Sequence, residues 1–446
     1  MSNQRAARLL RRIPDTDVPT GWLLGLSLSL VAATSMWLYF QRVQIPYQQS
    51  DALAKQKPRG NLSDLYPRWL GARELLVHHR DPYTAEITRE IQVGYYGRPL
   101  DPTRKNDPID QQGFAYPIYV VLMLAPTVTL PFSTVHRIVF WLFAVLTTTS
   151  VPLWSGTLRW RLSRAETVIA ILLTLGCFPA IQGLRLQQLT VLVVALIAGS
   201  MYAITRRRFV LAGILLAMAS IKPQLVFLLI LWLCIWLLGK WRERQRVLWS
   251  FVTSMSVLVV AGEFLLPGWI SEFRWAMKDY YRYTGGGNSL LNGFLPPLWA
   301  RIASVVLVGM VLVFAWRNRS AGEETPAFQW LLCFTLATTL VVIPMFAPYN
   351  QLLLVPGVMM ALRARQELLQ KSHLSQFFCW MTAASVGFPF LTAACLVIAL
   401  AFLPGTTVQK AWGLPFYPSF AIPITTYGLL LISRNVLLDP DRSALQ

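Results

Sequence analysis

The stretch Tyr116-Pro117-Ile118-Tyr119-Val120-Val121-Leu122-Met123-Leu124-Ala125-Pro126-Thr127-Val128-Thr129-Leu130-Pro131-Phe132 is apolar enough to be taken for a membrane span. If it crosses, every basic linker after it changes side. Pro117, Pro126 and Pro131 argue against a continuous helix, because proline lacks an N–H and its ring crowds the preceding turn. The sequence therefore predicts a half-inserted or interfacial element, 116–132, whose two ends lie on the same non-cytoplasmic side.

The linkers beyond it support that parity. Arg159, Arg161 and Arg164 fall in one linker and Arg206, Arg207 and Arg208 in the next but one. Lys240, Arg242, Arg244 and Arg246 follow, then Arg317 and Arg319, then Arg363, Arg365 and Lys371. Positive loops stay in the cytoplasm. The alternating linkers 182–187, 267–294, 347–349 and 403–415 then face the other side.

Between these linkers the predicted spans are 21–40, 135–155, 166–181, 188–204, 209–221, 223–239, 247–266, 295–316, 327–346, 350–362, 376–402 and 416–434. The fold class is all-α, a polytopic bundle of about 12 membrane spans. Segments 209–221 and 350–362 hold about 13 residues each, or ~20 Å of helix, as spans that open into a cavity do. The chain reads as one membrane domain. It has a cytoplasmic basic stretch 1–20, a first external loop 41–134 and the remaining bundle 135–434, with both termini cytoplasmic.

Composition agrees. Hydrophobic residues make up 55% of the 446 residues and charged ones 14%, with mean hydropathy +0.47. Soluble chains carry about 25% charged residues. The net charge of +19 would suggest nucleic acid in a soluble protein. Here the basic residues lie largely between apolar spans, so they set topology and meet anionic headgroups, and no nucleic-acid partner is expected. Arg5, Arg8, Arg11 and Arg12 precede an apolar run of about 20 residues, which exceeds a signal-peptide core of about 7–15 and reads as a retained span. Cys177, Cys234, Cys333, Cys379 and Cys395 all lie inside apolar runs, with no metal or disulfide spacing. No phosphate-binding loop is present.

The first loop holds most of the polar interest. From Asn61 through Asp64-Leu65-Tyr66-Pro67-Arg68-Trp69 to Leu76, the residues Leu65, Trp69, Ala72 and Leu76 recur at helical spacing. They predict an amphipathic helix lying on the membrane surface. Asp64 at its start is either its N-cap or a functional carboxylate. His78 and His79 are adjacent and point apart on a helix. No carboxylate or cysteine completes a ligand set there, so neither metal nor cofactor is expected. Asp81-Pro82 marks a turn.

These residues resemble glycosyltransferase family 87, membrane enzymes of the GT-C superfamily that include polyprenyl-phosphate-mannose-dependent mannosyltransferases. Asp64-Leu65-Tyr66, the helix through Ala72-Arg73-Glu74-Leu75-Leu76, and Asp81-Pro82-Tyr83 are similar to the family's first-loop signature. Phe114-Ala115-Tyr116-Pro117 resembles its Tyr-Pro-Pro element, with Ile118 for the second proline. Leu186-Gln187-Gln188-Leu189 resembles its Gly-Gln-x-Asn element, with leucines replacing the glycine and asparagine. Ser220-Ile221-Lys222-Pro223 resembles its Lys-Pro element. Phe346-Ala347-Pro348-Tyr349-Asn350-Gln351 stands where many members carry a histidine, so any role of that histidine does not carry over.

The resemblance implies a GT-C fold with juxtamembrane helices in the first loop and Asp64 as catalytic base. It implies transfer of a sugar, mannose or a related hexose, from a polyprenyl-phosphate donor to a glycolipid or glycan acceptor at the external face of a bacterial-type inner membrane. The rival class is a transporter or flippase of a lipid-linked saccharide. Against it, no repeated halves appear, and the polar residues concentrate in one loop.

The chemistry asks for one base to take the acceptor proton and cations beside the departing phosphate. Lys222 is a phosphate candidate or a lysine that snorkels to headgroups, and Arg185 is a second phosphate candidate. Tyr66, Arg68, Asp81, Tyr83, Tyr116, Gln187, Gln188, Asn288, Tyr349 and Asn350 are candidate substrate contacts. Loop 267–294, with Tyr280, Tyr281 and Gly285-Gly286-Gly287, reads either as a cover for the acceptor or as an interfacial aromatic belt.

Overall fold

The computed structural model describes residues 18–58, 60, 63–101, 103–283, 286, 288–344 and 347–438. The basic stretch 1–17, Asn61, Gly285, Gly287 and Phe346 lie outside the described residues. Among those described, all regular structure is helical.

The first helix does not stop where the sequence suggests. Helix α1 (Val18–Tyr39) runs through a π-helical turn, Phe40–Gln44, into α2 (Ile45–Ala54). Pro46 would have no N–H for an α-helical bond and its ring would strike the preceding turn. The wider turn, closed by the Ile45 N–H on the Phe40 carbonyl, absorbs that conflict. The helix therefore extends past 40 into what the sequence assigned to the first loop.

That loop next forms α3 (Tyr66–His78), α4 (Ala85–Tyr96) and the short α5 (Val120–Leu124), which ends in a 3-10 turn, Ala125–Thr127. Helix α3 is not a surface helix. Leu65, Trp69, Ala72 and Leu75 are buried, and so are Gly71 and Glu74. Glu74 is paired with Arg80 at 2.8 Å. The 116–132 segment also packs inside the protein, with Tyr119, Val120 and Val121 buried. Tyr116 and Phe132, at its two ends, both lie against the α3 region: Arg68 stacks over the Tyr116 ring, and Phe132 meets Tyr66 and Trp69. Both ends of the segment thus return to one place.

The bundle follows as α6 (Phe132–Thr157), α7 (Arg164–Gly176), α8 (Phe178–Leu186), α9 (Thr190–Thr205), α10 (Phe209–Ala219), α11 (Pro223–Gly239) and α12 (Trp241–Leu265). Then come the amphipathic α13 (Trp269–Tyr283), α14 (Pro297–Arg317), α15 (Pro326–Val342) and a 3-10 segment, Pro348–Leu354. The chain closes with α16 (Val355–Arg363), α17 (Arg365–Lys371), α18 (His373–Ala399), α19 (Gly405–Gln409), a 3-10 segment Leu414–Phe420, α20 (Ala421–Ile432) and α21 (Arg434–Leu437).

Among the described residues, six helical stretches are long and apolar enough to cross a bilayer, and seven if α7 and α8, bent by 59° at Cys177, count as one. The bend sits where α7 packs on α1. A Cβ on Gly176 would meet the Ala33 backbone at 2.5 Å, so the small residue allows the two helices to touch.

The count of about 12 spans is not what length supports, because α9, α10, α11 and α15 have only 11 to 17 residues. At 1.5 Å per residue, 17 residues reach about 25 Å, short of the ~30 Å hydrocarbon core. Helices α9 and α15 are largely interior, whereas α10 and α11 keep Val210, Leu211 and Phe227 exposed. Helix α15 is buried over almost its whole length, whereas α12 and α14 present Val257, Phe264, Val305 and Trp316 outward. The short central helices stop early and leave depressions at both ends of the bundle.

Candidate active site

One depression is built where α3, α8, α9, α10, α11 and the Pro348–Leu354 segment end or begin. Asp64 sits in the turn before α3. It is not that helix's cap: Leu65 holds the N-cap position and no side chain caps it. Instead the Asp64 N–H donates to the Leu186 carbonyl at 3.0 Å, which ties the first loop to the end of α8.

The residue after Leu186 is left-handed, with Gln187 at φ 49°. Gln187 is buried and braces this junction. It accepts from Ser63 Oγ at 2.5 Å and donates to the His136 carbonyl. Gln188 turns the other way, toward the carboxylate.

The Asp64 Oδ1 accepts from the Tyr95 hydroxyl at 3.2 Å, and Oδ2 accepts from Gln188 Nε2. The other end of that amide, Gln188 Oε1, accepts from Lys222 Nζ at 2.9 Å. Lys222 also donates to Thr190 Oγ1 at 2.8 Å, and Thr190 donates in turn to Asn350 Oδ1 at 3.0 Å. A carboxylate and an ammonium are thus held one amide apart.

Lys222 lies in the turn between α10 and α11, and only 6% of it is exposed. It therefore does not snorkel. Its ammonium lies over the rings of Tyr349 and Tyr116, at 5.2 Å and 5.9 Å. Burial, and next the neighbouring Arg68, push the lysine down to about 7 against the pull of Asp64. A buried cation so destabilised is relieved by an anion.

Asp64, Arg68, Tyr116, Gln188, Lys222, Tyr349 and Asn350 line one cleft of about 210 Å³. The Arg68 guanidinium lies 4.7 Å from the Tyr116 ring centroid and donates to the Asp64 carbonyl at 2.5 Å. Tyr280 and Tyr281 of α13 close the cleft from the opposite side, together with Phe273 and Met277. Asp110 also lines it, and burial raises its carboxyl above the usual carboxylate range.

Several predicted contacts lie elsewhere. Tyr66 packs against Trp69 and Phe132. Asp81 accepts from the Tyr83 N–H at 2.8 Å, a local turn, and the Tyr83 hydroxyl donates to the Tyr116 carbonyl at 2.6 Å. These two hold Tyr116 from behind the cleft. Asn288 does not line it, and Gln187 is a brace.

Arg185 lies over the Phe40 ring at 5.4 Å and lines a second cavity of about 1250 Å³. The π-helical turn supplies Gln41 and Gln44 to that cavity, and exposed Trp141 stands at its apolar side. Tyr95 and Asp110 line it as well. Asp110 therefore borders both cavities, and Tyr95, which holds Asp64, borders the larger. Tyr95, Asp110 and Thr190 carry no motif that singles them out in the sequence.

Neither a curated protein nor a solved structure matches the chain. The model of glycosyltransferase family 87 matches residues 114–344, more than half of the 446. The match includes Tyr116, Gln188, Lys222 and Tyr280 of the cleft and begins after Asp64. The chain belongs to glycosyltransferase family 87.

Proposed function

We propose that this membrane glycosyltransferase moves a hexose from a polyprenyl-phosphate donor to a glycolipid or glycan acceptor by a single inverting displacement. The observation that carries the reading is the Gln188 amide, which joins the Asp64 carboxylate to the Lys222 ammonium in one cleft. The acceptor hydroxyl attacks the anomeric carbon, and its proton passes to Asp64. The bond from that carbon to the phosphate oxygen breaks, and the charge growing on the lipid phosphate is stabilised by Lys222. The smaller cleft takes the donor's sugar phosphate. The larger cavity, bordered by Tyr95 and Asp110, brings the acceptor.

Radiolabelled polyprenyl-phosphate hexose, incubated with the purified protein and candidate acceptors, should yield labelled glycan. Movement of intact lipid-linked sugar across liposomes, with no transfer, would instead favour the transporter.

The Lys222 shift gives a pH dependence. Its ammonium persists below about 7 and is lost above it in the empty site. Donor affinity is therefore expected to fall as pH rises from about 6 to about 9, and bound phosphate should move the lysine's titration upward. Equilibrium donor binding across that range checks this; a flat profile would separate Lys222 from the phosphate.

The cleft end of the bundle faces outside in this reading, and the arginine-rich end faces the cytoplasm of a cell with a bacterial-type inner membrane. In a background free of native cysteine, Ile109→Cys and Ser133→Cys should both react with an impermeant thiol reagent applied outside. Labelling from opposite sides would mean that 116–132 crosses the bilayer.

A further inference from the structure

The same short helices leave a second depression at their other ends. Helix α9 begins at the Lys222 partner Thr190 and finishes at Tyr202 and Thr205, which line a cavity of about 1060 Å³. Helix α15 ends next to Ile343 of the cleft and begins at Pro326 and Gln329 of this cavity. Helix α16 follows the Tyr349–Asn350 segment and ends at Arg363, which also lines it. The cavity is thus the far end of the bundle from Asp64.

Its charge is one-sided. Arg159, Arg161, Arg206 and Arg363, from three different linkers, line it with one carboxylate, Glu324. Glu324 is paired with Arg159. Arg363 is half-buried and donates to the Leu158 carbonyl, so it is fixed at the floor. Arg206 is exposed and turned by Tyr202, whose hydroxyl accepts from its Nε at 3.1 Å and whose ring lies 5.1 Å from its guanidinium. The planar fork suits phosphate oxygens. Basic residues that only set topology need not converge on a concavity. Like charges gathered around one repel each other unless an anion lies among them. The walls are partly apolar, with Pro152, Leu162, Met360 and Leu437.

We infer that this cavity is a binding site for a phosphate-ester polyanion, held by Arg161, Arg206 and Arg363 and separate from the transfer site. The inference does not depend on the donor or acceptor proposed above. Two sources share that chemistry: the headgroup of an anionic phospholipid, whose chains would meet the apolar walls, and a soluble phosphate compound.

The test uses the full-length protein in detergent. Native mass spectrometry is run with cardiolipin, phosphatidylglycerol and phosphatidylcholine, and thermal-shift assays with inorganic pyrophosphate. The wild type should prefer an anionic lipid, or be stabilised by pyrophosphate, by about tenfold or more in affinity. Arg161→Gln with Arg206→Gln should abolish that preference and leave the unliganded melting temperature unchanged, because both side chains are exposed. Should the pair fail to fold, each single substitution is read in the same way.

A response to lipid alone assigns the site to a headgroup, and a response to pyrophosphate alone assigns it to a soluble ligand. No preference in the wild type, or a preference that survives in the variants, overturns the inference.

Discussion

Asp64→Asn is expected to lower transfer by about 10²- to 10⁴-fold, the usual contribution of a general base, or roughly 3–5 kcal/mol of barrier. Local geometry makes this a clean experiment. The carboxylate accepts two hydrogen bonds, from Tyr95 and Gln188. Asparagine keeps one acceptor oxygen, which can stay on Gln188. Its amide nitrogen then faces the Tyr95 hydroxyl, which can rotate and accept. Gln188 keeps its orientation, so its oxygen stays on Lys222.

The Asp64 backbone bonds to Leu186 and Arg68 do not involve the side chain, and no helix cap is lost because none is made. Melting temperature and donor binding should therefore stay near wild type while turnover collapses. Tyr95→Phe is the calibrating companion. It removes one hydrogen bond and leaves the carboxylate, so its effect should be far smaller. An Asp64→Asn variant that turns over at close to the wild-type rate would show that Asp64 is not the base.

Several residues that line this cleft are singled out in the sequence through the family resemblance, and they sit at punctuation. Asp64 precedes a helix with proline in its first turn, Gln188 follows a left-handed helix end, Lys222 precedes Pro223, and Tyr349 follows Pro348. Such positions are fixed by local backbone rules. Tyr95, Asp110 and Thr190 are not legible, because they reach Asp64 or Lys222 only through tertiary packing. Gln188 is 124 residues from the carboxylate that it touches.

Asp81-Pro82-Tyr83 shows the opposite failure. It is a conspicuous motif, but it braces Tyr116 from behind the cleft, and short motifs do not separate a brace from a contact. Helix α3 departs from its sequence reading for a related reason. An apolar stripe suits a bilayer surface and a protein interior equally well, and only the burial of Glu74 and Gly71 tells them apart. The first span is read as ending at 40, and the wider turn that carries the helix on past Pro46 is invisible to residue counting. Span number turns on length as well as apolarity: α9, α10, α11 and α15 are as apolar as membrane spans but hold only 11 to 17 residues.

Lys222→Met is expected to reduce turnover with a lipid-phosphate donor by about 10²- to 10³-fold, the range for removing one preorganised donor from a developing anion. Methionine fills most of the lysine's volume and keeps an apolar chain against Tyr116 and Tyr349, while the ammonium–ring contacts are lost. The fold should tolerate it. Gln188 Oε1 and Thr190 Oγ1 each lose a donor, a cost of about 1–3 kcal/mol per unsatisfied group. Against that, a buried ammonium whose charge the site disfavours is removed.

The loss should fall mainly on kcat, because the phosphate is most negative as the bond to sugar breaks, with a smaller loss in donor affinity. The pH dependence of donor binding should flatten in the same variant, since the titrating group is gone; a purely structural lysine would not produce that readout. Unchanged donor affinity and turnover would leave Lys222 as a packing residue beneath the cleft and move the phosphate site elsewhere, with Arg68 the next cation in the cleft to test.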